Sequence, residues 1–219
     1  MSGRTALVLG GTGMLQGCAD DLLANGWQVV LPSRRPPRTG LAARGALGAR
    51  GHVPQSRSHD GMPPGGVGDG ARPAGGEGGA TGRPGVKWVH ADWARPEELA
   101  ERVREVLTAP ADLLVAWVHL SYRVPVLRAV APLLAEDAPV VEVHDSTGIV
   151  SRHGVPDPIL PGHPTHQVVL GIARHGTGTR WLSHEEASVG VLEAVRRAVD
   201  GKAASLHQVG DVDTWAARQ

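Results

Sequence analysis

The stretch Thr5-Ala-Leu-Val-Leu-Gly-Gly-Thr-Gly-Met-Leu-Gln-Gly17 decides the fold. A short apolar run, Ala6 to Leu9, stops at a glycine cluster. An amphipathic stretch follows, with Met14, Leu15, Cys18, Ala19, Leu22 and Leu23 on one face. A buried strand, a tight turn and a helix, in that order, make the first half of a dinucleotide-binding βαβ unit. Glycine lets the backbone turn sharply and lets a pyrophosphate approach with no Cβ in the way. The N–H groups of the helix's first turn then face the phosphate charge. Gly10, Gly11, Thr12 and Gly13, running into Met14 and Leu15, are the candidate phosphate turn. The third glycine of the usual spacing would fall at position 16, which is Gln16. The close helix–strand packing that this glycine permits is therefore not secured by the sequence.

Working outward, Gly26 stops the first helix and Trp27 to Leu31 reads as strand two. Ser33, Arg34 and Arg35 lie just past it, where a dinucleotide fold chooses its cofactor. An acid there holds the ribose 2′-hydroxyl of NAD, whereas arginine accommodates the 2′-phosphate of NADP. No acid is present, and a planar guanidinium suits phosphate, so the sequence favours NADP(H). Val86 to Asp92 is strand three, with Asp92 and Trp93 where an adenine ring would lie. Pro96 opens a helix whose apolar face is Leu99, Val103, Val106 and Leu107. Asp112 to His119 is strand four, apolar throughout and so buried on both faces. Ser121 is the expected cap of the next helix, and Pro132 is expected to kink or shorten its last turn. Pro139 to His144 is strand five, followed by a Pro/Gly/His-rich loop from Ile149 to Thr165 with no helical periodicity. His166 to Ala173 reads as strand six. Ser183-His-Glu-Glu186 is a capping box opening a helix that carries Val189, Leu192, Val195 and Val199, and Leu206 to Val209 reads as an edge strand.

These elements predict an α/β fold with a doubly wound, mostly parallel sheet formed by residues 1–35 and 86–219. Between them, residues 36–85 hold half of the chain's 30 glycines and seven prolines, with no aromatic residue. Such a stretch buries too little apolar surface to offset its ordering entropy and is expected to be a disordered insertion.

The 219 residues suffice for one domain with a sizeable core. Lys plus Arg and Asp plus Glu are 22 each, so no net field recruits nucleic acid or an anionic membrane. A lone cysteine, Cys18, rules out an internal disulfide and favours a reducing compartment. No apolar run is long enough to span a bilayer and no signal peptide is expected, which points to the cytoplasm. The 11 histidines invite a metal reading, with His163, His166, His144 and His153 as the nearest set, but their spacing is no recognised ligand pattern and no metal is expected.

The strand, the Gly-Gly-Thr-Gly turn of 10–13, the strand ending in Ser33-Arg34, and Asp92 after strand three together resemble the short-chain dehydrogenase/reductase superfamily. The tail Arg180-Trp-Leu-Ser-His-Glu-Glu186 looks like its atypical members. The resemblance covers all of the chain but the insertion. It implies a Rossmann-like sheet, NAD(P)H at the strand C-termini, and a nicotinamide near the ends of strands four and five. It also implies a Tyr-x-x-x-Lys acid pair and a serine after strand five. The chain has one tyrosine, Tyr122, followed four residues later by Val126, and only two lysines, Lys87 and Lys202. That acid pair is absent, and so is the helix that carries it.

The remaining candidates for chemistry are His119 and Tyr122 after strand four and His144, Ser146 or its neighbour Thr147 after strand five, with Trp117 beside the cofactor. Two functions follow. One is an NADPH-dependent reductase of a small-molecule imine or carbonyl. The other is a non-catalytic NADP(H)-binding sensor. No nucleic-acid or membrane partner is expected, and a homo-oligomer stays open. If the insertion is outside the core, deleting Arg38 to Arg83 should leave the thermal midpoint and NADPH affinity nearly unchanged. Loss of soluble expression on deletion would refute that.

Overall fold

The computed structural model describes residues 3–37, 85–146, 154–175 and 178–212. The expected insertion at 36–85 falls outside them, apart from residues 36, 37 and 85, as do Thr147 and His153. The strands are β1 (Thr5–Leu9), β2 (Gln28–Ser33), β3 (Val86–His90), β4 (Leu113–Trp117), β5 (Val140–Asp145), β6 (Thr165–Leu170), β7 (Ile172–His175), β8 (Gly178–Trp181) and β9 (Leu206–Val209). The helices are α1 (Gln16–Ala24), α2 (Pro96–Val106), α3 (Leu120–Val130) and α4 (His184–Val199).

Seven strands form a parallel sheet in the order β3-β2-β1-β4-β5-β6-β9. The order reverses between β1 and β4, the place where open α/β sheets leave a crevice at their C-terminal ends. Alternate strand residues feed two cores, because successive side chains point to opposite faces. Val8, Val115, Val141 and Val143 pack with α1 and α4 through Cys18, Leu22, Val191 and Val195. Leu7, Leu9, Leu114 and Val140 pack with α2 and α3 through Leu99, Val103, Val126 and Leu127. Both faces of the central strands are covered, which accounts for their unbroken apolar sequences. Among the described residues no helix is long and apolar enough to cross a membrane.

The structure differs from the sequence reading at four places, each for a local reason. α3 begins two residues earlier than expected, capped by the His119 ring accepting from the Ser121 N–H at 3.4 Å, so Ser121 lies inside the helix. Pro132 does shorten the end: after Val130 the chain tightens into a 3₁₀ turn, Ala131–Leu133. Strand six stops at Gly171, where a Cβ would stand 2.2 Å from the Asp211 carbonyl oxygen. The chain then turns away into a β7–β8 antiparallel hairpin that has no counterpart in the sequence reading. On α4 the capping box is present, with Ser183 and Glu186 bonded to each other's backbone N–H. Its buried face, however, is Ala187, Ser188, Val191, Ala194, Val195 and Ala198, and Val189 is 65% exposed. Val195 is buried and Leu192 and Val199 pack against the same core as expected. Val189 faces out, and the rest of the face takes small residues because α4 approaches its neighbours closely. A Cβ on Gly190 would sit 2.4 Å from both Val209 methyls. Small residues win wherever backbones come that near.

The β5–β6 connection has no helix in its described part, residues 154–164. In place of one, a buried ion pair joins α3 to β5: Arg123 donates from Nε to Glu142 Oε2 at 2.9 Å, and its Nη2 makes a second, shorter contact with the same oxygen. Glu142 Oε1 accepts the Ile159 N–H at 3.2 Å, and Arg123 Nη2 donates to the Asp157 carbonyl at 3.0 Å. Beside this pair, His144 is buried, with Nε2 3.9 Å from Glu142 Oε2, beyond hydrogen-bond reach. Burial first, and then the Arg123 charge, outweigh the nearby Asp145 and lower the His144 pKa to about 4.

The sign follows from linkage. The unfolded chain takes up a proton on this histidine near pH 6.5, while the folded chain resists it down to about 4. Stability is then lost as pH falls through that window. At about 1.4 kcal/mol per unit, this one group accounts for on the order of 3 kcal/mol. Denaturant unfolding at pH 7 and 4.5 should show the loss, and His144→Gln should flatten that part of the slope.

Candidate functional site

Beside the β1/β4 reversal, a cleft of about 660 Å³ opens among the C-terminal ends of β1, β2, β3 and β4. One wall is the glycine turn. Gly10 has a φ of +90°, a conformation that favours glycine, and a Cβ there would meet the Trp117 carbonyl oxygen at 3.0 Å. The Gly10 carbonyl accepts the N–H groups of Gly13 at 3.1 Å and Leu15 at 3.2 Å, and the Gly13 carbonyl accepts from Gln16. The N–H groups of Thr12 and Met14 take no part in the turn's own bonds. At Gly13 the space that a Cβ would fill is open, its nearest contact being the Gly10 carbonyl oxygen at 4.0 Å. That opening is the cradle a phosphate requires.

Thr12 and Met14 line the same wall. Gly11 and Leu15 do not. A Cβ on Gly11 would stand 2.5 Å from Leu31 Cδ2 and 2.9 Å from Val8 Cγ1, so this glycine lets the turn settle onto the core. Leu15 is fully buried and contributes only backbone. The packing glycine expected at position 16 is found one residue later, where a Cβ on Gly17 would lie 2.8 Å from Ser188 Cβ. It serves helix-to-helix contact with α4.

Ser33, Arg34 and Arg35 form the second wall, with both arginines exposed. Among the described residues no acid is paired with either guanidinium. The Ser33 hydroxyl donates to the Arg35 carbonyl and accepts from Trp88 Nε1 at 3.1 Å, which folds this segment back on itself. Trp88, from edge strand β3, went unnoticed in the sequence because the contact crosses a strand pair. Asp92 and Trp93 complete the far end. The Asp92 carboxylate accepts the Ala94 N–H at 3.1 Å, and Trp93 meets Trp117 edge-on with centroids 6.2 Å apart. Trp117 lies over Gly10 and forms part of the floor.

The candidates for chemistry are only partly brought together. Tyr122, 39% exposed on the first turn of α3, lines the cleft. The exposed His119 ring stands 6.4 Å from it, centroid to centroid. With Nδ1 accepting from Ser121, neutral His119 carries its proton on Nε2, and only that nitrogen can donate outward. His144 does not reach the cleft; it is buried against the Arg123–Glu142 pair and is neutral near pH 7. Ser146 does not line the cleft either, and its N–H is bonded to the Leu170 carbonyl at 2.8 Å. Lys87 is spent on the carbonyl of Val106 at 2.7 Å, away from the cleft. Burial pushes the Cys18 thiol up to about 12, so it is unreactive. Among the described residues no cluster suits a metal ion.

No family model and no curated protein sequence matches the chain. Solved structures do match its fold. A glucose/ribitol-type short-chain dehydrogenase/reductase from Brucella melitensis superposes with a TM-score of 0.54 at 14% identity, over 96% of each chain. A 3-oxoacyl-[acyl-carrier protein] reductase from the same organism, in complex with NAD, gives 0.55 at 13% identity, again over 96% of each. The TT0495 protein from Thermus thermophilus gives 0.55 at 18% identity, over 94% of this chain and 97% of that one. The fold is therefore that of the short-chain dehydrogenase/reductase structures.

The two turn glycines have separable roles. Gly13→Val should abolish dinucleotide binding with little change in the thermal midpoint. Gly11→Ala should cost about 1–3 kcal/mol by overpacking and lower the midpoint. Calorimetry and a binding titration on each variant distinguish them.

Proposed function

We propose that the protein binds NADP(H) and uses it as an oxidoreductase, reducing a small-molecule imine or carbonyl. The observation that carries this reading is the single cleft holding the open Gly13 turn, the Ser33-Arg34-Arg35 segment and the Asp92–Trp93 end. Each wall fits one part of the cofactor. The turn takes the pyrophosphate, the unpaired guanidinium groups suit a 2′-phosphate, and the tryptophans offer flat apolar faces for the adenine. The structural neighbours described as reductases, one of them in complex with NAD, support the same reading.

When bound, the nicotinamide would supply a hydride, and the protein's task is to orient it and to place a proton. Of the residues considered for catalysis, Tyr122 lines the cleft and has an O–H to give, and the His119 ring stands 6.4 Å from it. A phenol with no neighbouring ammonium is a poor acid near pH 7. An imine that arrives protonated brings its own positive charge, so reduction then depends on positioning rather than proton donation. That chemistry fits a cleft whose cofactor walls are complete and whose acid is unassisted.

Two measurements test the proposal. Arg34→Ala should weaken NADPH by roughly 1.5–3 kcal/mol, the range for hydrogen bonds to charged groups, and leave NADH nearly unchanged. Equal losses would remove the 2′-phosphate assignment. Tyr122→Phe should lower carbonyl turnover by about 10²–10⁴-fold if the phenol is the acid, and should barely affect a cyclic iminium substrate at a pH where it is protonated. NADPH binding with no turnover on either class would leave the sensor as the function.

A further inference from the structure

We infer that Ser188, on the second turn of α4, is a positioning residue of the nucleotide site, acting through the Met14–Leu15 peptide. The inference rests on the reading of the glycine turn as the pyrophosphate cradle. Ser188 is 3% exposed and lies 174 residues from its partner in sequence, yet its hydroxyl donates to the Met14 carbonyl at 3.0 Å. Nothing in α1 takes that carbonyl, since the first helical acceptor is Leu15, bonded to the Ala19 N–H at 3.1 Å. The other end of the same peptide unit is also held, because the Leu15 N–H donates to the Gly10 carbonyl at 3.2 Å. A peptide unit is planar and stiff, so fixing its C=O and its N–H fixes its orientation.

That plane closes the turn. The Gly10 carbonyl which receives the Leu15 N–H also receives the Gly13 N–H at 3.1 Å, so tilting the plane disturbs the cradle at Gly13 directly. Met14, whose carbonyl Ser188 holds, itself lines the cleft. The contact requires α1 and α4 to be close, and Gly17 supplies that closeness, since a Cβ there would sit 2.8 Å from Ser188 Cβ. Cys18 secures the same residue from the other side, its thiol donating to the Ser188 carbonyl at 3.4 Å. A serine at a position where α4 otherwise buries alanine and valine is thus accounted for by the turn it holds.

Ser188→Ala removes the donor without adding bulk and leaves the Met14 carbonyl buried and unpartnered. Losing one buried hydrogen bond is worth roughly a fivefold change in affinity. NADPH and NADH should therefore both weaken about fivefold, because both place a pyrophosphate on the turn. Adenosine 2′-monophosphate carries no pyrophosphate and should bind the variant as it binds the wild type. A purely structural role would not divide the ligands in this way. Ser188→Cys, with a weaker donor of similar size, should fall between the two, and it takes the place of Ser188→Ala if that variant does not fold. Unchanged dinucleotide affinity, or equal weakening of all three ligands, would overturn the role. Wild-type protein that binds the monophosphate but neither dinucleotide would overturn the reading of the turn, and Ser188's role with it.

Discussion

The sheet has to join β5 to β6 in parallel without a helix in the described part of the connection, and the buried Arg123–Glu142 pair makes that tolerable. A helix satisfies its own backbone; an irregular segment lying over a sheet does not. Here the strands and α3 supply the partners. Glu142 takes the Ile159 N–H, Arg123 reaches the Asp157 carbonyl, and Gln167 donates to the Pro156 carbonyl at 2.6 Å. Leu160 and Ile159 then fill the core beside Val140. A carboxylate buried to 1% exposure would be costly alone, and the guanidinium both neutralises and anchors it. Removing either partner would strand a charge and release the loop together.

The consequence reaches the cleft. Strand alternation places His144 on the face of β5 that carries Glu142, beside the ion pair, and Ser146 stands outside the cleft lining. The described walls of the cleft come from β1 to β4 and the start of α3. The cleft is built from strand ends and the start of α3, and one exposed phenol is the only proton donor among the described catalytic candidates that lines it.

What the sequence revealed was what is local. The glycine turn, the Ser33-Arg34-Arg35 segment, Asp92–Trp93 and the Ser183 capping box are runs of a few residues whose geometry follows from their own chemistry. The parallel sheet followed from apolar strands alternating with helical periods. What depends on distant contacts was not visible. Gly11 and Gly13 look alike in sequence, yet one meets Leu31 and the other meets open space. Gly17, one residue past Gln16, serves a contact the sequence does not show, because its neighbour is Ser188 on α4. His144 reads as a strand-end histidine, and only α3 packing brings Arg123 beside it. On α4, of the four residues expected on the buried face only Val189 lies off it, and the face also takes alanine and serine because the helix contact is close.

These misplacements share a cause that bears on how the site works. Each depends on a contact between elements distant in sequence, and at Gly11, Gly17 and Gly190 that contact is closer than a large side chain allows. Close approach converts small residues into precise spacers, since a core at crystal-like density transmits displacements of a few tenths of an ångström. The phosphate turn lies where three such approaches converge: Gly11 on Val8 and Leu31, Gly10 under Trp117, and Gly17 against Ser188. The contacts at Gly11 and Gly17 hold the turn from behind, and Trp117, part of the cleft floor, packs over Gly10. The cleft is consequently prearranged before any ligand enters, which reduces the ordering cost of binding. The Tyr122 rim has no such backing, as its ring is exposed and its neighbour His119 is engaged with the helix cap. On the proposed function, a turn held from behind and a phenol with no such backing together favour a substrate whose reactivity is set before it arrives.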